Sequence, residues 1–340
     1  MFLRNAWYVA AWDHEIGRRL TPVRILGEEI VLFRTAAGRV AALEDACPHR
    51  KLPLSMGRLR GDEVECGYHG LTFDARGTCT RVPGAETIPH RACVRAYPAE
   101  ERYGLVWVWM GDSALADPAR IFAVPNWGDP AWGVNRGDAM TLNCNYLYMT
   151  DNLLDPSHVA WVHQTSFAGA GTDATPLNTD VHDRGVTVWR WMKDTPPAPF
   201  YAQFLRFAGN CDRKQHYEVH WPCHAIIKAV FVPAGTGGED RPLHPDGFVM
   251  DSYNFMTPVS DDETRYFWFQ MRNFAPGDAE VSARFATSVR GAFEEDRAVL
   301  NAVQKGMTAM RTPNLDLAID LGPLRFRSRL KRMIEAEATA

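Results

Sequence analysis

Cys47-Pro-His49 and, after sixteen intervening residues, Cys66-Gly-Tyr-His69-Gly put one thiol and one imidazole on each of two short segments. Two thiolates and two imidazoles form the donor set of a mixed-ligand [2Fe–2S] cluster, in which the cysteines hold one iron and the histidines the other. That ligation raises the reduction potential above that of an all-cysteine cluster. Thiolate suits iron–sulfur chemistry, and neutral imidazole suits the iron that takes the electron. Zinc is the rival for any such quartet. Structural zinc, however, usually takes C-x2-4-C and H-x3-5-H, not one Cys and one His from each segment. The pattern reads as a redox centre.

A second constellation is Asp151-Asn152-Leu-Leu-Asp155-Pro-Ser-His158-Val-Ala-Trp-Val-His163. Residues five apart lie about 140° apart on an ideal helix. His158 and His163 can share a metal only if that helix is distorted or His163 lies at its end. Pro156 supplies a cause, because it removes the bond back to the carbonyl of Asn152. Alone, such a pair is more often structural than ligating. A helix predicted over 279–310 strengthens it. Its apolar stripe runs Val281, Phe285, Val289, Phe293, then Asp296, then Leu300, Val303, Met307 and Met310. Steps of three and four put Asp296 on the core side and point Glu294 and Glu295 outward. A carboxylate there is costly unless it is paired or bound to metal, and a buried Asp–Arg pair is the alternative. Two histidines with one isolated carboxylate would make the facial triad of non-haem Fe(II) oxygenases, with one face open to O2 and substrate.

Rigid elements must hold these residues. Glu29–Phe33 with Arg39–Leu43, and Thr72–Asp74 with Thr78–Val82, read as hairpins turning at Gly38 and Gly77, and Leu105–Trp109 reads as a buried strand. The ligand segments therefore sit among strands at a tip. The texture changes to a Pro/Gly/Asp-punctuated linker over 112–130, and 340 residues exceed one typical core. Two domains are predicted, 1–118 and 119–340. In the second, Val186–Met192, Val219–Phe231, Phe248–Met256 and Thr264–Met271 read as strands of one mainly antiparallel sheet in an α+β fold. Ala168–Asn178 and Ala234–Gly247 read as long loops of the kind used as lids. Gly169-Ala-Gly171 lacks the strand–turn–helix setting of a dinucleotide fingerprint, so no NAD(P)H site is expected on this chain.

Composition excludes other classes. With 46% hydrophobic and 23% charged residues and a net charge of −4, the chain reads as globular and not as a nucleic-acid binder. Its apolar runs are too short to span a bilayer, and its N-terminus lacks a secretory pattern. Cys79, Cys93, Cys144, Cys211 and Cys223 read as buried or half-buried thiols in a reducing, cytoplasmic setting.

The chain resembles, over essentially its whole length, the terminal oxygenases of the Rieske non-haem iron family. Cys47-Pro-His-Arg and Cys66-Gly-Tyr-His-Gly resemble the family's cluster boxes. Asp151-Asn-Leu-Leu-Asp-Pro-Ser-His158…His163 resembles its iron box, and Phe293-Glu-Glu-Asp296 the segment with its third ligand. The opening Arg4-Asn-Ala-Trp-Tyr-Val-Ala-Ala-Trp12 is most similar to the branch of vanillate O-demethylase, dicamba O-demethylase and toluenesulfonate methyl-monooxygenase.

The resemblance implies an N-terminal all-β Rieske domain and a helix-grip catalytic domain. It implies that Cys47, His49, Cys66 and His69 hold the cluster, and that His158, His163 and Asp296 hold a mononuclear Fe(II). A ring-shaped homotrimer follows, in which one subunit's cluster serves its neighbour's iron. Asp155 would bridge His69 of the next subunit to His158, a role compatible with capping a helix. Asn152 matches the family's asparagine beside the iron. Electrons would come from NAD(P)H through a separate flavin/iron–sulfur reductase. The implied reaction is O-demethylation of a small, vanillate-like methoxylated aromatic with O2, giving a phenol and formaldehyde. Aryl-methyl hydroxylation, N-demethylation and ring hydroxylation are alternatives, as is a Rieske protein that only transfers electrons. Asn254, polar within an apolar strand, either orients substrate or satisfies the sheet. His216, His220 and His224 read as surface or core histidines rather than a third metal site.

Overall fold

The computed structural model describes residues 1–172 and 174–339. They form two compact units. One holds Met1–Ala123, Thr257–Asp261 and the end of the chain from Glu337; the other holds Val124–Met256 and Asp262–Ala336. The first cut thus falls a few residues after the predicted 118/119, and two later segments return to the first unit. Hydrogen bonds account for the return. The Thr257 hydroxyl donates to the Val9 carbonyl at 2.7 Å, and the Leu26 N–H donates to the Pro258 carbonyl at 2.8 Å. The Glu337 carboxylate accepts the N–H groups of Arg4 and Asn5, both at 2.6 Å.

The first unit consists of three small antiparallel sheets. Trp7–Trp12 pairs with Leu105–Trp109, which also pairs with Ala99–Arg102. Thr21–Ile25, Glu28–Arg34, Val40–Glu44 and Ala96–Tyr97 make the second. Arg58–Arg60, Glu63–Glu65, Thr72–Phe73 and Cys79–Arg81 make the third. Gly77 turns its hairpin at φ +78°, where a Cβ would lie 2.1 Å from the Val94 carbonyl oxygen. Only glycine fits such a turn. Val31, Phe33, Leu43, Leu54, Val64 and Phe73 pack into one core that includes Cys47 and Cys66.

The second unit is built on an eight-stranded sheet. Gly133–Asn135, Thr264–Arg272, Phe248–Pro258, His224–Pro233, Cys211–His220, Gly185–Thr195 and Asn178–His182 follow one another across it, and Ala139–Leu142 also pairs with Thr264–Arg272. The predicted single strand Val219–Phe231 is instead parts of two antiparallel strands, with His220 opposite His224. Trp221-Pro222-Cys223 makes the turn. Proline cannot donate to a sheet ladder, so it breaks the run there.

The predicted helix is present as Ala279–Ala309, started by Asp278, whose carboxylate accepts the Val281 N–H at 2.9 Å. Phe293 meets Tyr266 and Trp268 of the sheet, each at 5.1 Å between ring centroids. The stripe is buried at Phe285, Val289, Asp296 and Leu300, but Val303, Met307 and Met310 are exposed, contrary to the sequence reading. A second long helix, Leu321–Thr339, stacks Phe326 on Trp221. Among the remaining thiols, Cys79, Cys144, Cys211 and Cys223 are buried, while Cys93 is exposed rather than sheltered. Among the described residues, no helix is long and apolar enough to cross a membrane.

Candidate metal centres

The two ligand segments of the first unit repeat one hydrogen-bonding plan. The Cys47 N–H donates to the Leu52 carbonyl at 2.9 Å, and the Cys47 carbonyl accepts the Lys51 N–H at 2.8 Å. The Cys66 N–H donates to the Leu71 carbonyl at 2.7 Å, and the Cys66 carbonyl accepts the Gly70 N–H at 3.1 Å. Each turn therefore closes on a left-handed residue, Lys51 at φ +58° and Gly70 at φ +73°. Glycine adopts this conformation freely, whereas lysine must be held in it. Asp45 steadies the first segment by accepting the N–H and hydroxyl of Ser55, each at 2.6 Å.

The effect is to sort the four donors across segments. The Cys47 and Cys66 thiols are buried, and Cys66 acts on the titration of Cys47. Burial pushes the Cys47 thiol up, while the backbone N–H groups of His49 and Arg50 partly offset it. The His49 and His69 rings face outward, 4.6 Å apart between centroids. One thiol pair and one imidazole pair fit a cluster with two cysteines on one iron and two histidines on the other.

In the second unit, the helix Tyr146–Asn152 stops before Pro156. Asp155 accepts the Ser157 N–H at 2.8 Å, and a single helical turn, Val159–Val162, follows. His158 precedes that turn and His163 ends it at φ −106°, ψ 41°. The break brings the two rings to 5.3 Å between centroids. It also leaves Asp155 and His158 outside any continuous helix. Arg190 braces the break by donating to the Pro156 carbonyl at 3.2 Å and the Gln215 amide oxygen at 2.8 Å.

Asp296 Oδ1 lies 3.3 Å from His163 Nε2 and 3.7 Å from His158 Nε2, and the ligand atoms of all three lie within 4.8 Å of one another. Asp296 is 3% exposed, and its Oδ1 makes no hydrogen bond of good geometry. An orphaned carboxylate oxygen between two imidazoles is costly alone and is satisfied by a cation. The outer ring nitrogens are engaged: His163 Nδ1 meets Glu295 Oε2 at 2.7 Å, and His158 Nδ1 meets the Asp155 carbonyl. Such partners orient imidazoles so that Nε2 faces the metal. Glu295 therefore turns back toward the site, where the helical pattern had pointed it to solvent. Burial opposes charge on His163, but Asp296 and Glu295 outweigh it and raise its pKa. The same negative field favours a bound cation. The residues fit a mononuclear iron.

Asn152 Nδ2 stands 3.5 Å from His158 Nε2. Its neighbour Asp151 is forked by Arg327, with Nε at 2.8 Å, which ties Leu321–Thr339 to the site helix. Nothing in the local pattern foretold that pair, because its members are 176 residues apart. Asp151, Asn152 and Asp155 also line an open groove with Val299, Val303 and Met307.

A cavity opens beside His158, His163 and Asp296. Ile227, Met250, Val289, Ala292 and Phe293 give it apolar walls, and Tyr201, Arg213, Tyr217 and Asn254 give it polar ones. Asn254 is fully buried on this wall, donating to the Ser252 carbonyl at 2.8 Å and accepting the Tyr266 hydroxyl at 2.7 Å. It lines the cavity and satisfies the sheet at once. His182, Glu218 and His220 also bring three donors within 4.8 Å. The Glu218 oxygens already meet the ring nitrogens of His216 at 3.1 Å and His220 at 2.5 Å, which holds that carboxyl far below its usual range. His224 lies on the next strand, 4% exposed.

Comparisons with known proteins agree with both centres. Residues 6–98 match the Rieske [2Fe-2S] domain, and residues 142–336 match the vanillate O-demethylase oxygenase C-terminal domain. The iron–sulfur subunit of the toluene-4-sulfonate monooxygenase system of Comamonas testosteroni is 36% identical, over 99% of this chain and 98% of that one. The vanillate O-demethylase oxygenase subunit of Pseudomonas sp. strain HR199 is 37% identical, over 100% of this chain and 97% of that one. The crystal structure of dicamba monooxygenase bound to 3,6-dichlorosalicylic acid superimposes with a TM-score of 0.92 at 30% identity, covering 100% of this chain and 99% of the other. The α+β architecture, the Rieske cluster and the mononuclear iron are common ground between fold, site and relatives. The chain belongs to the Rieske non-haem iron oxygenases of the vanillate O-demethylase branch, as the oxygenase component of a multicomponent monooxygenase.

Proposed function

We propose that this oxygenase O-demethylates a small methoxylated aromatic of the vanillate type. The observation that carries the reading is the apolar cavity that opens onto His158, His163 and Asp296. In balance, the aryl methyl ether, O2, two electrons and two protons give the phenol, formaldehyde and water. When bound at these three residues, the iron supplies O2 activation with electrons relayed from the cluster. The chain's own residues do the rest. Ile227, Met250, Val289 and Phe293 hold the ring and exclude water, and Asn254 offers a fixed dipole, its amide locked by Tyr266 and Ser252. Glu295 and the Asp155 carbonyl keep both imidazoles aimed at the metal.

The working assembly in this reading is a homotrimer in which the cluster of one copy faces the iron of the next. Two features support it. His49 and His69 are exposed on the first unit. On the second, Asp155 lines an open groove flanked by exposed Val299, Val303 and Met307. Asp155 would join His69 of a neighbouring copy, through its carboxylate, to His158, whose Nδ1 meets the Asp155 backbone carbonyl, while Oδ1 keeps its bond to the Ser157 N–H. A separate reductase delivers electrons from NAD(P)H.

The test is a product assay on reduced enzyme with O2 and vanillate, other methoxybenzoates, methylbenzoates and arenesulfonates. Formaldehyde equal to the phenol formed establishes O-demethylation. A benzylic alcohol without formaldehyde establishes methyl hydroxylation instead, the second reading, favoured by the 36% identity to the toluene-4-sulfonate subunit.

A further inference from the structure

The strand Cys211–His220 turns every second residue inward, and one of these is a cation. Arg213 is 4% exposed and lines the same cavity as His158, His163 and Asp296. Its Nη2 donates to the Phe167 carbonyl at 3.0 Å, whereas Nε and Nη1 have no hydrogen-bond partner among the described residues. The groups that act on it electrostatically are Tyr201, Tyr217 and Cys211. All three are neutral near pH 7, since burial pushes Tyr201 to about 12 and Cys211 to about 11 and raises Tyr217 further. The adjacent Asp212 is occupied elsewhere, accepting from the Asp194 N–H at 3.0 Å, the Gly237 N–H at 2.9 Å and Lys193 at 3.4 Å. The Phe231 and Tyr201 rings, 5.3 and 5.9 Å from the guanidinium carbon, shelter the charge without using its N–H groups.

A desolvated guanidinium with open donors is costly, and a bound anion removes the cost. The neighbouring loop accommodates the guanidinium itself. A Cβ on Gly169 would lie 2.5 Å from Arg213 Nη1, so the bare glycine allows the guanidinium its position. Carboxylate and sulfonate groups each present two oxygens to a guanidinium, the geometry in which charged hydrogen bonds are strongest. We infer that Arg213 anchors the acidic group of the substrate, so that the cavity selects aromatic carboxylates or sulfonates over neutral arenes. The inference rests on the oxygenase reading of the site and names its substrate class.

The test is calorimetric titration of the full, metal-loaded protein without O2, using 4-methoxybenzoate against 4-methoxybenzamide and 4-toluenesulfonate against its sulfonamide. Wild type should bind at least one anion about tenfold or more tighter than its amide, as expected for a charged hydrogen bond. Arg213→Met should bring that pair within about threefold, and Arg213→Lys should restore part of the gap. Equal binding of acid and amide by wild type overturns the inference, as does a full preference retained by Arg213→Met. The wild-type comparison decides the matter even if the Met variant does not fold. Because nothing turns over in this titration, the failure of O-demethylation in the product assay would leave its result standing.

Discussion

Glu295 Oε2 and His163 Nδ1 lie 2.7 Å apart, joining a half-exposed carboxylate on the long helix to a buried imidazole on the interrupted one. The neighbouring Asp296 faces the opposite ring nitrogen, Nε2, at 3.3 Å. Consecutive carboxylates thus grip one imidazole from both ends. Removing such an outer partner typically costs 10–100-fold in metal affinity. Glu295→Ala should therefore weaken iron binding at this centre by about that factor and leave the cluster's absorbance intact. Competition with a graded chelator measures it, and unchanged iron retention would remove Glu295 from the site.

Asp296 itself should be decisive. Among the described residues, its buried Oδ1 makes no hydrogen bond of good geometry. In Asp296→Ala, iron should fall from about three atoms per chain to about two, because the cluster keeps its own pair. Turnover should vanish while the Rieske spectrum persists. Iron analysis beside visible absorption checks both, and wild-type turnover would end the triad assignment.

Asp155 separates two functions that one carboxylate can hold. By accepting the Ser157 N–H two residues on, in a turn that precedes the helical turn Val159–Val162 and does not cap it, it should contribute about 1 kcal/mol of local stability. As the bridge between copies, it should govern the rate at which the reduced cluster is oxidised when O2 and substrate are present. Asp155→Asn keeps an oxygen for the Ser157 N–H and loses the charge, so stability should change little while that rate falls at least tenfold. Stopped-flow absorbance follows it, and a wild-type rate would leave Asp155 as a turn residue alone.

These residues show where sequence reading succeeds and where it stops. The Glu28–Arg34/Val40–Glu44 hairpin was legible because apolar runs flank a glycine that turns at φ +80°. Asp296 was legible because one carboxylate interrupts an apolar helical stripe. The first part of the strand Cys211–His220 was hidden, since its inward row carries Arg213 and Gln215 along with Cys211, Tyr217 and Val219. A wall that faces a cavity need not be apolar, so alternation of hydropathy fails there. Pro222 marks the break between that strand and the next, but the single strand expected over Val219–Phe231 ran through it. Glu295 escaped because helical periodicity gives the direction of Cα–Cβ, not the reach of a long side chain to an adjacent ring. Lys51, left-handed without being glycine, carries no sequence signal for its turn.

Asp151 gives a pH dependence whose sign follows from its surroundings. Burial outweighs the Arg327 guanidinium and pushes its carboxyl up to about 6, from an ordinary value of 3.8. Between these limits the folded chain holds a proton that the unfolded chain has released. Its contribution to stability therefore falls as pH rises through that window. Asp151→Asn has no such titration, although it also weakens the grip of Arg327 on the site helix. The advantage of wild type over this variant should be greatest near pH 4 and shrink to a plateau by pH 7. Apparent melting temperatures of both proteins, taken at one scan rate across that range, measure the gap. A gap that widens with rising pH would mean that Arg327 outweighs burial and that Asp151 is ionised throughout.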